Sequence, residues 1–275
     1  MKIKIYSLMF VLASAISASA HAEIAERVSY GAVLEQDITG SAEVLRYGEL
    51  APQFIEYWPA TQPPKNLNIA FIHGGCWLDA YDIAHTRAAT SALAAQGYPT
   101  WSIEYRRSSA EQKAWPEADR DIRQALQQIR AKIGTQPLVV MGHSAGGHLA
   151  LLAAAEPTPS ADAVIGLAAI TDVVAYGAGE NSCQASTAQF FGGDALSLAE
   201  AYQAANPVSK DFTVPVYLLG SENDRIIPAE QMKLPTAELK WVANADHFDF
   251  VHTATPAWQQ LLQTLQQLEQ QLGHR

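Results

Sequence analysis

Residues 137–155 read PLVVMGHSAGGHLALLAAA. Four apolar residues lead into Gly142-His143-Ser144-Ala145-Gly146, and an Ala/Leu-rich run follows without a break. A serine hydroxyl is a weak nucleophile until something exposes it and takes its proton. A sharp strand-to-helix turn does the first by lifting the side chain off the sheet edge in a strained conformation. Neighbours two positions away must then be small, which accounts for Gly142 and Gly146, while Gly147 lets the helix pack closely. The helix N-terminus adds backbone N–H groups and positive dipole beside the hydroxyl. Ser144 is thus the candidate nucleophile of an acyl transfer. The competing reading is a glycine-rich turn with an idle serine.

Such chemistry needs donors for a developing oxyanion, and a base with its orienting acid. The stretch IAFIHGGCW offers the donors: the N–H groups of Gly75 and Cys76, with that of Ala145 on the far side. Gly74 reads as holding the turn, and His73 as bracing the loop. Trp77 and His143 are candidate pocket residues, although Trp77 reads equally as core packing and His143 as a structural or surface group, like His85 and His148. VPVYLLGSENDRIIP is an apolar run followed by Asp224, the acid, with Glu222 as its alternative. LKWVANADHFDFVH places His247 after the last strand as the base, with His252 as competitor. The order Ser144, Asp224, His247 is that of the α/β-hydrolase triad. No cofactor is called for, and the remaining His and Cys lack the spacing of metal ligands.

Positioning these groups requires a particular scaffold. Short apolar runs at 68–72, 99–103, 137–141, 163–168, 214–219 and 239–243 alternate with helical patterns at 86–96, 116–133, 146–155 and 256–272. In 116–133, Ile122, Leu126, Ile129 and Ile133 fall on one helical face. Two further strands are expected at 43–48 and 53–58. Alternation of this kind predicts an α/β fold with a mostly parallel sheet covered by helices on both faces, and chemistry at the carboxyl ends of the strands. Residues 171–210 break the rhythm and predict short helices forming a small partial cap.

The chain has 275 residues, 48% of them hydrophobic, enough for one sizeable core. Lys2 and Lys4, an apolar stretch at 5–16 and the small residues of Ala18-Ser19-Ala20 and Ala20-His21-Ala22 predict a signal peptide over 1–22, with an uncleaved N-terminal anchor as the rival reading, leaving 23–275 as one domain in the periplasm or outside the cell. No other run is long enough to span a membrane. The formal charge of −10 argues against nucleic acid as a partner. Oligomeric state is not readable.

His73-Gly74-Gly75-Cys76-Trp77, Gly142-His143-Ser144-Ala145-Gly146-Gly147, the Asp224 loop and His247-Phe248-Asp249 resemble the α/β-hydrolase branch that holds kynurenine formamidases and related bacterial carboxylesterases, near the hormone-sensitive-lipase-like esterases. RYGELAPQFIEYWPA, EYRRS…WPEADRDIRQAL and FFGGD…AYQAANPVS extend the likeness over about residues 43–270. The resemblance implies a cofactor-free serine hydrolase acting on esters or small amides. The expected activity is hydrolysis of carboxylic esters with small to medium acyl groups. A formamidase-like amidase and an inactive binding protein of the same fold are the alternatives. The export signal departs from the intracellular formamidases. So does Cys76, at the variable position of HGG-x-W: either it bonds Cys183, tying the oxyanion loop to the covering segment, or the two thiols pack separately.

Overall fold

The computed structural model describes residues 27–61 and 63–273; the expected signal peptide lies outside them. A short helix α1 (Tyr30–Leu34) precedes strands β1 (Glu43–Arg46), β2 (Phe54–Trp58) and β3 (Asn68–Ile72). Next come α2 (Arg87–Ala95), β4 (Thr100–Ile103), α3 (Glu117–Ile133), β5 (Leu138–His143), α4 (Ala145–Ala154) and β6 (Ala163–Leu167). Residues 171–210 hold α5 (Val173–Gly177), α6 (Ser182–Phe191), α7 (Ala199–Ala204) and a 3-10 turn at Pro207–Ser209. The chain closes with β7 (Val216–Gly220), β8 (Ala237–Trp241) and α8 (Pro256–Leu272).

The eight strands form one sheet in the order β1-β2-β4-β3-β5-β6-β7-β8. β1, β2 and β4 pair antiparallel, and every pair from β4–β3 to β7–β8 is parallel. Successive side chains of a strand point to opposite faces. Every residue of β3, β5, β6 and β7 is buried, so helices cover both faces there. The apolar face of α3 buries Ile122, Leu126 and Ile129 as its periodicity predicts. α4 is buried along its whole length, which explains why it reads as an unbroken Ala/Leu run.

Two elements depart from expectation. The last strand lies two residues earlier than its apolar run suggests, because β8 is an edge strand whose residues are largely exposed, not a buried core strand. Helix α1 was not anticipated: it is one turn with a single buried residue, Val33, and its start is marked only by Ser29, whose hydroxyl accepts from Ala32 N–H at 3.1 Å. Among the described residues no helix is long and apolar enough to cross a membrane.

The strand order reverses around β3, and that reversal is what creates a site. Ile72 pairs with Gly142 across β3 and β5, so the loops leaving these strands emerge side by side. α4 then folds back so tightly that a Cβ on Gly146 would stand 2.2 Å from Ile72 O and 2.3 Å from His73 O. One on Gly142 would stand 2.1 Å from Gly146 O. These obstacles are backbone atoms, which no rotamer change relieves. Gly146→Ala is therefore expected to destabilise the fold by about 3 kcal/mol or more, measured by urea denaturation against the parent chain.

Candidate active site

Ser144 joins β5 to α4 with φ 57° and ψ −122°, a conformation that L side chains rarely adopt. It is held there from both sides: its N–H donates to Leu167 O of β6 at 2.8 Å, and its carbonyl accepts from His148 N–H at 3.1 Å. The hydroxyl is buried at the cavity wall and makes no hydrogen bond among the described residues. A strained, unpartnered hydroxyl at a helix N-terminus has the arrangement of a nucleophile elbow.

The candidate acid and base come from the loops after β7 and β8. Asp224 Oδ1 accepts the N–H groups of Ile226 and Ile227 at 2.8 and 2.9 Å, which leaves Oδ2 to receive His247 Nδ1–H at 2.9 Å. Nδ1 being committed, Nε2 is the ring nitrogen available to a substrate or to Ser144. His247 and Ser144 line the same cavity. Glu222 is exposed and takes no part. His247 opens a 3-10 helix (His247–Val251), of which His252 is the C-cap; His252 precedes α8 and does not line the cavity. His143 donates Nε2–H to His247 O at 3.0 Å, and the two rings lie 4.5 Å apart. Burial, then the neighbouring His247, holds the His143 pKa well below the usual imidazole value, so it stays a neutral donor.

The candidate oxyanion loop follows β3. Gly75, Cys76 and Trp77 all have positive φ (105°, 53° and 58°). A Cβ on Gly75 would stand 2.4 Å from Tyr81 Cβ, and one on Gly74 would stand 2.9 Å from His143 O, so the loop lies directly on the elbow. The N–H groups of Gly75, Cys76 and Ala145 have no acceptor among the described residues, and Gly75 and Cys76 line the cavity. The loop is braced as His73 suggests. Its ring lies 3.0 Å from Glu104 Oε1 and 2.8 Å from Gly74 O, and Tyr105 donates its hydroxyl to His73 O at 2.9 Å. Glu104, which sequence reasoning missed, also accepts from Ile83 N–H at 3.0 Å, Tyr105 N–H at 2.9 Å and the Arg107 guanidinium. Burial pushes its carboxyl up, but His73 and Arg107 outweigh that and bring it down to about 2.

The cavity measures about 270 Å³. Besides Ser144, His143 and His247 its wall includes Tyr30, Tyr81, His85 and Phe248, with Ser182, Cys183 and Ile226 from the covering side. Tyr30 sits against three of these, 5.4 Å from Tyr81, 5.6 Å from His85 and 5.8 Å from Phe248. None of these four was picked as a pocket residue from sequence. Tyr30 rides on the unanticipated α1; Phe248 adjoins the base and was the most findable. Cys76 and Cys183 form a disulfide with Cα atoms 5.2 Å apart, joining the oxyanion loop to α6 at the cavity rim. Trp77 is the correction. It is fully buried, stacked on Phe190 of α6 at 4.8 Å and edge-on to His148, and it does not line the cavity. The cap closes over Trp77, making it the floor on which α6 rests. His85 and His148, read as structural or surface groups, are both buried, which leaves the structural reading.

Residues 56–239 match the BD-FAE family model. Over 114 residues the chain is 33% identical to esterase LipC of Mycobacterium tuberculosis, a match covering 39% of this chain and 28% of that protein. Among solved structures it is similar to esterase B of Lactobacillus rhamnosis, with TM-score 0.73, 18% identity and coverage of 88% and 90% of the two chains. It is also similar to a propionate-bound thermophilic esterase of Thermogutta terrifontis, with TM-score 0.66, 21% identity and coverage of 85% and 95%. These structural likenesses establish the α/β-hydrolase fold.

Two measurements check this site. Burial lowers the pKa of His85 to about 3, with His73 adding to the effect, and burial lowers that of His148 to about 4; His143 is also depressed. A depressed histidine lends stability above its unfolded value of 6.5 and loses it as pH falls toward the folded value. Unfolding free energy should therefore drop between pH 6.5 and 4 by up to about 1.4 kcal/mol per pH unit for each of His85 and His148, with His143 acting in the same direction, read from urea titrations across that range. For the disulfide, the loop closed is 107 residues. Cys76→Ser with Cys183→Ser is expected to cost about 4.7 kcal/mol in the chain-entropy account of a loop near 100 residues, by the same titration at pH 7.

Proposed function

The chain belongs to the BD-FAE family, and from that membership and its site we propose that it is an exported serine esterase, hydrolysing carboxylic esters of small to medium acyl groups through Ser144, His247 and Asp224. One observation carries the reading: an Asp224–His247 pair bonded at 2.9 Å opens onto the same cavity as a serine held at φ 57°. Esterase activity in LipC and in the structural neighbours supports it.

In this mechanism Nε2 of His247 takes the Ser144 proton as Oγ attacks the ester carbonyl carbon. Contacts of this kind are commonly loose before substrate binds and tighten in the reacting complex. Asp224 fixes the tautomer through Nδ1–H and stabilises the imidazolium that forms. The carbonyl oxygen becomes an oxyanion facing the N–H groups of Gly75, Cys76 and Ala145. Collapse of the tetrahedral species breaks the bond to the alcohol oxygen, which receives the proton from Nε2, and an acyl-enzyme remains. Water, deprotonated by the same nitrogen, then releases the acid and restores Ser144.

A cavity of about 270 Å³ suits short acyl groups. Export is supported by the sequence of residues 1–22 and by the Cys76–Cys183 disulfide, since such bonds persist in oxidising compartments. N-terminal sequencing of the mature protein is expected to begin at Glu23.

A fluorophosphonate probe is expected to label the protein, and Ser144→Ala to abolish labelling. His247→Ala should lower kcat for p-nitrophenyl acetate about 10⁴-fold or more. Undiminished labelling of Ser144→Ala would remove the assignment. A p-nitrophenyl ester series of rising acyl length should peak at the short to medium end, and N-formylkynurenine in the same assay reads the amidase alternative.

A further inference from the structure

Beyond β7 and β8 the acid and base loops share no backbone–backbone hydrogen bond among the described residues; the last is Val242 N–H to Gly220 O at 2.8 Å. Yet Asp224 and His247 must hold a fixed separation for the imidazole to face the nucleophile. Besides the Asp224–His247 bond itself, the side chain of Asp246 spans that gap. Asp246 Oδ1 accepts His247 N–H at 2.9 Å and Arg225 N–H at 3.3 Å, and Oδ2 accepts Arg225 Nε–H at 2.9 Å and Nη2–H at 2.6 Å. Those donors belong to the base itself and to the residue immediately after the acid.

We propose that Asp246 is a positioning residue for the acid–base pair, latching the loop of Asp224 to the turn of His247. The inference rests on the triad reading given above. The carboxylate is set in place from its own side as well. Asp246 N–H donates to Asp249 Oδ2 at 3.1 Å as part of a capping box, and Asp249 N–H to Asp246 O at 3.1 Å closes the first turn of the 3-10 helix. The Asp246 side chain is 6% exposed, whereas that of Arg225 is 63% exposed. An ion pair with so wet a partner adds little stability. What the carboxylate supplies is geometry: two backbone N–H groups, one from each loop, converge on a single oxygen. With Asp224 Oδ1 already committed to Ile226 and Ile227, a slip of either loop falls entirely on the remaining Oδ2–Nδ1 bond. Misplacement of catalytic groups by about 1 Å is enough to cost about 10²-fold in rate.

The test compares Asp246→Ala, Asp246→Asn and Arg225→Gln in the full chain. Two quantities are read: kcat and KM on p-nitrophenyl acetate, and the far-downfield proton resonance of His247 Nδ1–H hydrogen-bonded to Asp224. Asp246→Ala is expected to lower kcat tenfold or more with KM within twofold, and to shift or broaden the resonance. Asp246→Asn should recover part of both, since its amide oxygen still accepts from His247 N–H. Should Asp246→Ala not fold, Arg225→Gln at an exposed side chain carries the test, with a severalfold loss in kcat and a shifted resonance expected. Values of kcat within twofold of the parent together with an unmoved resonance would overturn the proposal. The resonance requires no turnover, so a parent chain that hydrolyses no ester would sink the esterase reading while the latch is still read.

Discussion

The structure turns on how closely α4 is drawn onto the end of β3. With Gly146 pressed against the carbonyls of Ile72 and His73, the chain leaving β5 has no room to pass Ser144 except through the left-handed region. That approach fixes three things together: the strain on the serine, the direction of its hydroxyl, and the contact between the nucleophile elbow and the oxyanion loop. The strain is sustained because Ser144 is bonded to β6 through its N–H and to α4 through its carbonyl. Local distortion of this kind persists only where the surroundings over-determine it.

Around this point the protein uses buried charge where it needs precision. Glu104 gathers His73, Arg107 and two backbone N–H groups beneath the oxyanion loop. Asp224 and Asp246 divide the work at the other rim, one aimed at the imidazole and one joining the loops. Buried carboxylates are costly to desolvate and return little net stability even when well paired. Their value here lies in direction: each receives donors from segments distant in sequence and sets one backbone turn against another. The histidines play the complementary part. His85, His143 and His148 have depressed pKa values and hold loops through single N–H donations, and His143 does so without placing positive charge beside the His247 imidazole.

The contacts that fasten the cap include one covalent bond and an apolar stack made by neighbouring residues of one loop. The Cys76–Cys183 disulfide joins α6 to the oxyanion loop at the rim, and Trp77 stacks on Phe190 of the same helix beneath it. Adjacent residues of the loop thus both contact α6, so the backbone at Cys76, whose N–H is a candidate oxyanion donor, is tied to the cap. Pocket shape and oxyanion geometry are coupled by construction.

The sequence by itself determined the α/β alternation, the glycine-flanked turn at Ser144, and the loops that carry Gly75, Asp224 and His247 as candidate site residues. The reason is that each depends on short-range rules: apolar run, glycine spacing, loop after a strand. Tertiary structure decided what depends on approach between segments far apart in the chain. Cys76 and Cys183 could be bonded or separate until their Cα atoms were placed 5.2 Å apart. Trp77 could face the cavity or the core until α6 was laid over it, and Glu104, Tyr30 and His85 carried no local mark of their neighbours. β8 escaped an exact reading because an edge strand is not required to be apolar on both faces. Periodicity reports which face of an element is buried; only the packed fold reports against what.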